Sequence, residues 1–162
     1  MMDLTGHVDV NTSARMAKPE LPFETTLRVR DACFCLHVQR AARAVARRYD
    51  DALRPFGLTN GQFSLLMSLN RPEPATMGPV AQLLAMDRTT LTAALKPLER
   101  RGLAEVAPDP KDRRSRRLLL TAAGRALLMR AVPVWEATQA DIERLLAAGD
   151  PDRLRDELRA LS

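Results

Sequence analysis

The residues of this sequence that could do chemistry are mainly cations and hydroxyls, and they concentrate in two short stretches. The first reads D-R-T-T-L-T at residues 87–92 and continues to Lys96. The second reads D-P-K-D-R-R-S-R-R at residues 109–117 and runs directly into three leucines. A protein core does not accept so many charges without partners. Both stretches are therefore expected at a surface that meets a charged partner.

The net charge of the chain is +5, and all of the excess lies between Arg88 and Arg117. This window holds nine basic and four acidic residues, whereas the rest of the 162-residue chain holds 16 of each sign. A polyanion is the natural partner of positive charge that is focused in this way. A basic surface that only faces solvent is the alternative.

Catalytic and metal-binding motifs are missing from the sequence. The chain has two histidines and two cysteines, and it lacks the G-x-S-x-G, G-x-G-x-x-G and H-E-x-x-H patterns. We therefore expect no enzyme activity, no metal and no cofactor. No apolar run approaches the roughly 20 residues of a membrane span, and the N-terminus lacks a signal-peptide pattern. A cytoplasmic protein that does not contact a membrane is expected.

Helix and strand signals place the two basic stretches on adjoining elements. Apolar periodicity, caps and breakers predict helices over 79–85 and 88–101, and strands over 103–106 and 117–120. Asp87 is expected to be the N-cap of the second helix. A short turn separates the helices, and the basic loop joins the strands. This order predicts a mostly α fold with a small β-wing. It is the order of a winged helix-turn-helix, whose first helix braces the second against DNA.

The second helix and the wing supply the candidate DNA contacts. On the helix these are Arg88, Thr89, Thr90, Thr92 and Lys96, and on the wing Arg113, Arg114 and Arg116. Threonine can contact base edges, and arginine can reach guanine. Wing arginines can enter a narrow minor groove or neutralise phosphates. An acid such as Asp112 is costly beside phosphate, so we expect it to brace a wing arginine or simply to occupy a turn.

Further helices flank this region. A long helical pattern covers residues 27–53, and Thr59–Gln62 forms a capping box that opens another helix. A helix over 121–148 is expected to begin at a threonine cap and to be bent or interrupted at Pro133. Asp150 is expected to cap the last helix.

The organisation along the chain follows from these elements. Residues 1–22 are polar and are expected to form a flexible tail, which leaves 23–162 as a single domain. Within it we expect a DNA-binding lobe at about 58–120 and dimerisation helices at about 27–54 and 121–162. The leucines of the last two helices exceed what a small winged lobe can cover. This excess predicts a homodimer and, by its symmetry, a near-palindromic site on double-stranded DNA.

Four segments resemble the MarR family of bacterial transcriptional regulators: D-R-T-T-L-T (87–92), L-E-R-R-G-L (98–103), D-P-K-D-R-R-S (109–115) and L-T-A-A-G (120–124). The resemblance covers roughly residues 27–162. It implies a homodimeric winged-helix repressor that a small molecule or an oxidant releases from DNA. It also implies that Asp87 and Asp112 brace wing arginines, and that Arg114 is the family's wing arginine.

The sequence leaves the mode of release open. In an ungapped match to the family's organic-hydroperoxide-sensing branch, Cys35 falls at the reactive cysteine and Tyr49 at one of two supporting tyrosines. The second tyrosine falls on Asn60, which weakens the resemblance. The apolar neighbours Phe34 and Leu36 favour a buried structural cysteine, because burial raises a thiol pKa. The thiol-based oxidant sensor through Cys35 is therefore the alternative.

A cleft for a small-molecule inducer is the favoured route of release. Its candidate lining residues are His37, Phe63, Met67 and Trp135, each of which could instead belong to the core or to an interface. A rival of a different class is a helical interaction module without DNA binding. The basic wing argues against it, and a salt-dependent DNA shift would separate the two.

Overall fold

The computed structural model describes residues 21–110, 112, 115–146 and 149–161. Its elements are α1 (Phe23–Ala32), α2 (Phe34–Leu53), α3 (Asn60–Ser68), β1 (Ala75–Thr76), α4 (Met77–Leu83), α5 (Arg88–Arg100), β2 (Ala104–Pro108), β3 (Arg116–Leu120), α6 (Ala122–Glu143) and α7 (Pro151–Arg159). A 3₁₀ turn, Arg54–Phe56, directly follows α2. The predicted fold class, mostly α with a small β-wing, is confirmed.

The chain divides into two compact units, residues 1–38 and 39–162. In the described part of the first unit no residue is buried, and large apolar side chains such as Phe23 and Phe34 are exposed. The second unit contains the sheet and all the buried residues of the described chain.

The sheet has three antiparallel strands in the order β1-β3-β2. The hairpin of β2 and β3 pairs Ala104 with Leu120 at its base and Pro108 with Arg116 near its tip. On the other side of β3, Ala75 of β1 pairs with Leu118. The hairpin was predicted, whereas β1 was not, because two residues are too short to show an alternating pattern.

Leucine provides most of the core of the second unit. The fully buried large side chains are Leu53, Leu65, Leu66, Leu91, Leu95, Leu98, Leu118 and Val80. Helix α5 buries its leucine face and packs on α3, α4 and β2. Because its polar face remains exposed, the helix is both anchored and available to a partner.

The predicted helix caps are confirmed. Thr59 and Gln62 form a reciprocal capping box at the start of α3, with both hydrogen bonds at 3.2 Å. The side chain of Thr121 accepts from the N–H of Gly124, and that of Asp150 accepts from the N–H of Asp152. Each cap bonds an N–H group that has no partner inside its own helix.

Two helix boundaries differ from the prediction. The single helix expected over 27–53 is broken at Cys33, whose extended backbone (φ −76°, ψ 104°) ends α1. Neither proline nor glycine marks this break, so the apolar periodicity could not reveal it. Helix α6 runs through Pro133 without interruption and ends at Glu143 rather than near residue 148.

Two classes of feature are not found in the described part of the chain. None of its helices combines the length and the apolar character needed to cross a membrane. Its His, Cys, Asp and Glu side chains form no group of three or more that could hold a metal ion.

A substitution at Gly124 can test the close packing of α6 on the wing. A Cβ atom on Gly124 would overlap the carbonyl oxygen of Leu103 and lie 2.7 Å from Cδ1 of Leu120. We expect Gly124→Ala to lower the free energy of unfolding by about 3 kcal/mol, the upper end of what overpacking costs, as measured by thermal and denaturant unfolding. Gly61→Ala is the control, because nothing lies within 4 Å of a Cβ at that helical position. It should stabilise the protein by up to about 1 kcal/mol. A Gly124→Ala variant as stable as Gly61→Ala would contradict this packing.

Candidate nucleic-acid interface

A tight turn between α4 and α5 sets the direction of α5. Ala85 adopts the left-handed conformation (φ 49°), and the N–H of Met86 donates to the carbonyl of Ala81 at 2.8 Å. This conformation costs a non-glycine residue about 1–2 kcal/mol. The turn is held because the helices on either side bury Val80 and Leu91.

Asp87 caps α5 with both of its carboxylate oxygens. Oδ1 accepts the backbone N–H of Thr90 at 2.8 Å, and Oδ2 accepts the hydroxyl of Thr90 at 2.7 Å. These bonds, chiefly the one from the backbone of Thr90, lower the pKa of Asp87. The predicted cap is confirmed. Bracing of a wing arginine by Asp87 stays a prediction.

The candidate base-contacting residues of α5 are all exposed: Arg88, Thr89, Thr90, Thr92 and Lys96. Two of the threonines already bond within the chain. Besides the bond from Thr90 to Asp87, the hydroxyl of Thr92 donates to the carbonyl of Arg88 at 2.7 Å. Thr90 therefore contributes to the cap, a role that the helical pattern alone did not reveal.

An open groove of about 880 Å³ separates α5 from the wing. Arg88, Thr92 and Lys96 line its helix side, together with Glu99. The wing side is lined by Asp112, Ser115 and Arg116. The structure thus brings together predicted residues of both basic stretches on one concave surface.

An ion pair at the base of the loop holds the wing. Nε of Arg117 lies 3.1 Å from Oδ2 of Asp109, which is buried. Backbone bonds from Asp109 N–H to the Ser115 carbonyl (3.1 Å) and from Ser115 N–H to the Asp112 carbonyl (2.9 Å) close the loop. The pairing of Asp109 with Arg117 was not predicted from the sequence. The available signal was an acid shortly after one predicted strand and an arginine at the start of the next.

The structure describes only two of the remaining wing residues for which contacts were predicted. Arg116 is exposed at the first residue of β3, and Asp112 is exposed on the groove. Arg113 and Arg114 lie outside the described residues. The roles assigned to Arg113, Arg114 and Asp112 therefore stay predictions.

Aromatic side chains form a second candidate site in the unit 39–162. Trp135 stacks on Tyr49 and on Phe63, with ring centroids 6.4 and 6.1 Å apart. Phe63, Met67 and Trp135 line a cleft of about 540 Å³, together with Ser64, Ser68, Leu83, Val132 and Glu136. Three of the predicted cleft residues are therefore adjacent.

The hydroxyl of Tyr49 has a partner within the protein. It donates to Oε1 of Gln139, whose Nε2 donates to Glu143 at 2.7 Å. Burial, followed by the nearby charge of Glu143, raises the pKa of Tyr49. This tyrosine is therefore a neutral donor that is already committed to Gln139.

Cys35 and His37 belong to the first unit. Cys35 is exposed, so the favoured interpretation of a buried structural cysteine is wrong for the single chain. The reason is that no residue of the described part of this unit is buried. His37 is also exposed, and its Nε2 lies 3.1 Å from the carbonyl oxygen of Asp31.

Comparisons with known proteins identify the family. The family model of the MarR family matches residues 56–115, which include α3, β1, α4, α5 and β2. The transcriptional regulator MosR of M. tuberculosis, solved in complex with DNA, is 42% identical to this chain. The match covers 80% of this chain and 92% of MosR, with a TM-score of 0.72. The chain belongs to the MarR family. This membership confirms the predicted resemblance.

Other MarR-family comparisons point to regulators of transcription. The transcriptional activatory protein BadR of Rhodopseudomonas palustris is 38% identical over 88 residues, 52% of this chain and 46% of BadR. The matches thus span about half the length of the curated relatives. CouR was solved as a repressor bound to a 23-mer DNA duplex (29% identity, covering 88% of this chain and 96% of CouR, TM-score 0.66). CouR from Rhodococcus jostii RHA1 was also solved with p-coumaroyl-CoA. That structure is 25% identical to this chain, and the match covers 81% of this chain and 90% of CouR, with a TM-score of 0.66.

The ion pair of the wing can be tested in the free protein. Asp109→Asn removes the carboxylate that holds Arg117. We expect faster amide hydrogen exchange across residues 105–120, because the backbone bonds of the loop open more often. Glu105→Gln makes the same charge change at an exposed position of β2 and should leave exchange unchanged. Equal exchange in both variants would show that Asp109 does not hold the wing.

Proposed function

We propose that the protein is a homodimeric transcriptional repressor that binds DNA sequence-specifically and is released by a small molecule. The observation that carries the proposal is the groove between α5 and the wing, lined by Arg88, Lys96 and Arg116. A groove with cations on both walls suits a DNA backbone between a helix in the major groove and a wing beside it. The similarity to MosR, solved with DNA, supports this use of the groove. Such a regulator acts in the cytoplasm, where bacterial DNA lies.

The proposal assigns separate work to the two basic elements. The exposed face of α5, with Arg88, Thr89, Thr92 and Lys96, meets base edges. Wing arginines, Arg114 and Arg116 among them, meet phosphates or the minor groove. The proposed lobe for these contacts spans about 58–120, and the helices around it dimerise.

Exposed apolar side chains support the homodimer. Helix α7 has no buried residue, its Leu154 and Leu158 are 38% and 43% exposed, and Leu161, just after the helix, is 71% exposed. Leu145 and Met129 of the preceding region are exposed as well. A soluble monomer rarely leaves so many large apolar groups uncovered. A second copy of the chain would cover them and place two recognition helices on a near-palindromic site.

The deciding experiment is selection of bound duplexes from a random DNA pool, followed by sedimentation of the complex. The proposal requires an enriched, near-palindromic sequence that carries two protomers, with half-sites about one helical turn apart. Binding that ignores sequence, or no binding at low salt, would favour the interaction module instead. A reporter assay on the promoter that contains the site gives the direction of regulation. This direction matters because the relative BadR is an activatory protein.

Substitutions on α5 and on the wing should have different effects on the selected duplex. Arg88→Ala should weaken its binding by roughly 1–3 kcal/mol and relax the preference at particular base pairs. Arg114→Ala should weaken binding to selected and scrambled duplexes alike and reduce the salt slope by about one. Arg144→Ala is the control, because this exposed arginine pairs with Asp141 on α6. Equal losses on both duplexes for both variants would contradict the division of work.

The aromatic cleft is the proposed inducer site. Its walls are apolar and aromatic, with Glu136 and two serines as polar groups, which is typical of small-molecule sites. CouR, a relative in the family, was solved with the aromatic thioester p-coumaroyl-CoA. An aromatic acid or its thioester is therefore the first ligand class to test.

Thiol oxidation is the second candidate route of release, and the exposure of Cys35 favours it. The commitment of the Tyr49 hydroxyl to Gln139 counts against it, because that hydroxyl already donates elsewhere. Small-molecule release is the proposed route, and oxidation is the alternative that the same assay measures.

Release can be measured as dissociation of the selected duplex. We expect p-coumarate or p-coumaroyl-CoA to release wild type, and Met67→Trp to resist release because its larger side chain fills the cleft. Mild organic hydroperoxide should leave wild type and Cys35→Ser equally bound. If hydroperoxide releases wild type but not Cys35→Ser, the thiol is the sensor and the proposed route is wrong.

A further inference from the structure

Arg101 links the end of α5 to the turn after α2, two places that are far apart in the sequence. Its Nη1 donates to the carbonyl oxygen of Gly57 at 2.6 Å, and its Nη2 donates to the carbonyl oxygen of Phe56 at 3.3 Å. Arg101 is itself the C-cap residue of α5. One guanidinium therefore ties the last turn of the proposed recognition helix to the 3₁₀ turn that follows α2.

The carbonyl groups that accept from Arg101 lie where a positive charge is favoured. The last carbonyl groups of a helix have no partner inside it, and they carry the negative end of the helix dipole. Gly57 is in the left-handed conformation (φ 63°), and a Cβ atom there would lie 3.3 Å from Nη2 of Arg101. A side chain at position 57 would strain the backbone and crowd the guanidinium.

The turn that receives Arg101 is held independently of the bridge. Leu53 and Leu58 on either side of it are buried in the core, and Phe56 packs against that core. The guanidinium of Arg130, from α6, lies 5.8 Å from the centroid of the Phe56 ring. The turn is thus a fixed point against which the end of α5 is located.

Arg101 does not face the groove. The residues of α5 that line the groove include Arg88, Lys96 and Glu99, and Arg101 is not among them. On a helix, position 101 lies about 140° around the axis from position 88. Its effect on a bound duplex therefore runs through the position of α5 rather than through contact with a phosphate.

We propose that Arg101 is a positioning residue for DNA recognition, because its bonds to the carbonyls of Phe56 and Gly57 fix the direction in which α5 leaves the protein core. The inference rests on the proposed function of α5. It accounts for an arginine side chain that reaches carbonyl groups 44 and 45 positions earlier in the chain.

The test compares Arg101→Ala and Arg101→Lys with Arg54→Ala, on the duplex that wild type selects and on a scrambled duplex. Arg54 is the matched control, because it lies in the same turn but is exposed and pairs with Asp51 of the preceding helical turn. We expect Arg101→Ala to weaken binding to the selected duplex about tenfold, the loss of a charged hydrogen bond. Binding to the scrambled duplex and the salt slope should hardly change. Arg101→Lys should restore part of the loss, and Arg54→Ala should match wild type.

Three outcomes would overturn the inference. Equal weakening on both duplexes, with a salt slope lower by about one, would make Arg101 a phosphate contact. Unchanged affinity in a variant whose melting temperature falls would make its role one of stability only. Unchanged hydrogen exchange at the last turn of α5 in free Arg101→Ala would show that the bridge locates nothing. A wild type that selects no duplex would overturn the proposed function along with this inference, whereas the three outcomes above leave that function standing.

Discussion

The burial of one face of α5 is the constraint on which the rest of the structure depends. Leu91, Leu95 and Leu98 are fully buried, and each contributes roughly 1.5–3 kcal/mol relative to an exposed side chain. Because this face is fixed, the opposite face with its cations must point outward. The cap at Asp87 and the bridge from Arg101 act at the two ends of a helix whose rotation the leucines have already set.

The features that sequence predicted well are local ones. Caps at Thr59, Asp87, Thr121 and Asp150 depend on residues within one helical turn, so their signals are complete in a short window. The leucine spacing of α5 is equally local. The wing hairpin was predictable because apolar strands flank a loop of charged and turn-forming residues.

The features that sequence missed join distant or unmarked positions. The bridge from Arg101 to Gly57 depends on how two helix ends are placed in the tertiary structure. The residues next to an arginine in a basic run do not indicate which distant group it will bond. The ion pair of Asp109 and Arg117 likewise requires the hairpin register to be known. The helix break at Cys33 has no proline or glycine beside it that would have predicted it. In the wing, counting charges overstated the free cations, since Arg117 is paired.

The hydroxyl of Thr92 gives its proton to the carbonyl of Arg88, and that of Thr90 gives its proton to Asp87. A hydroxyl that keeps such a bond presents only lone pairs and a methyl group to its surroundings. In the major groove, lone pairs suit the amino groups of adenine and cytosine, and the methyl group suits thymine. These internal hydrogen bonds of α5 therefore limit what the two hydroxyls can offer outward. With their protons committed inside the protein, the two threonines suit an amino group or a thymine methyl group better than the acceptor edge of guanine.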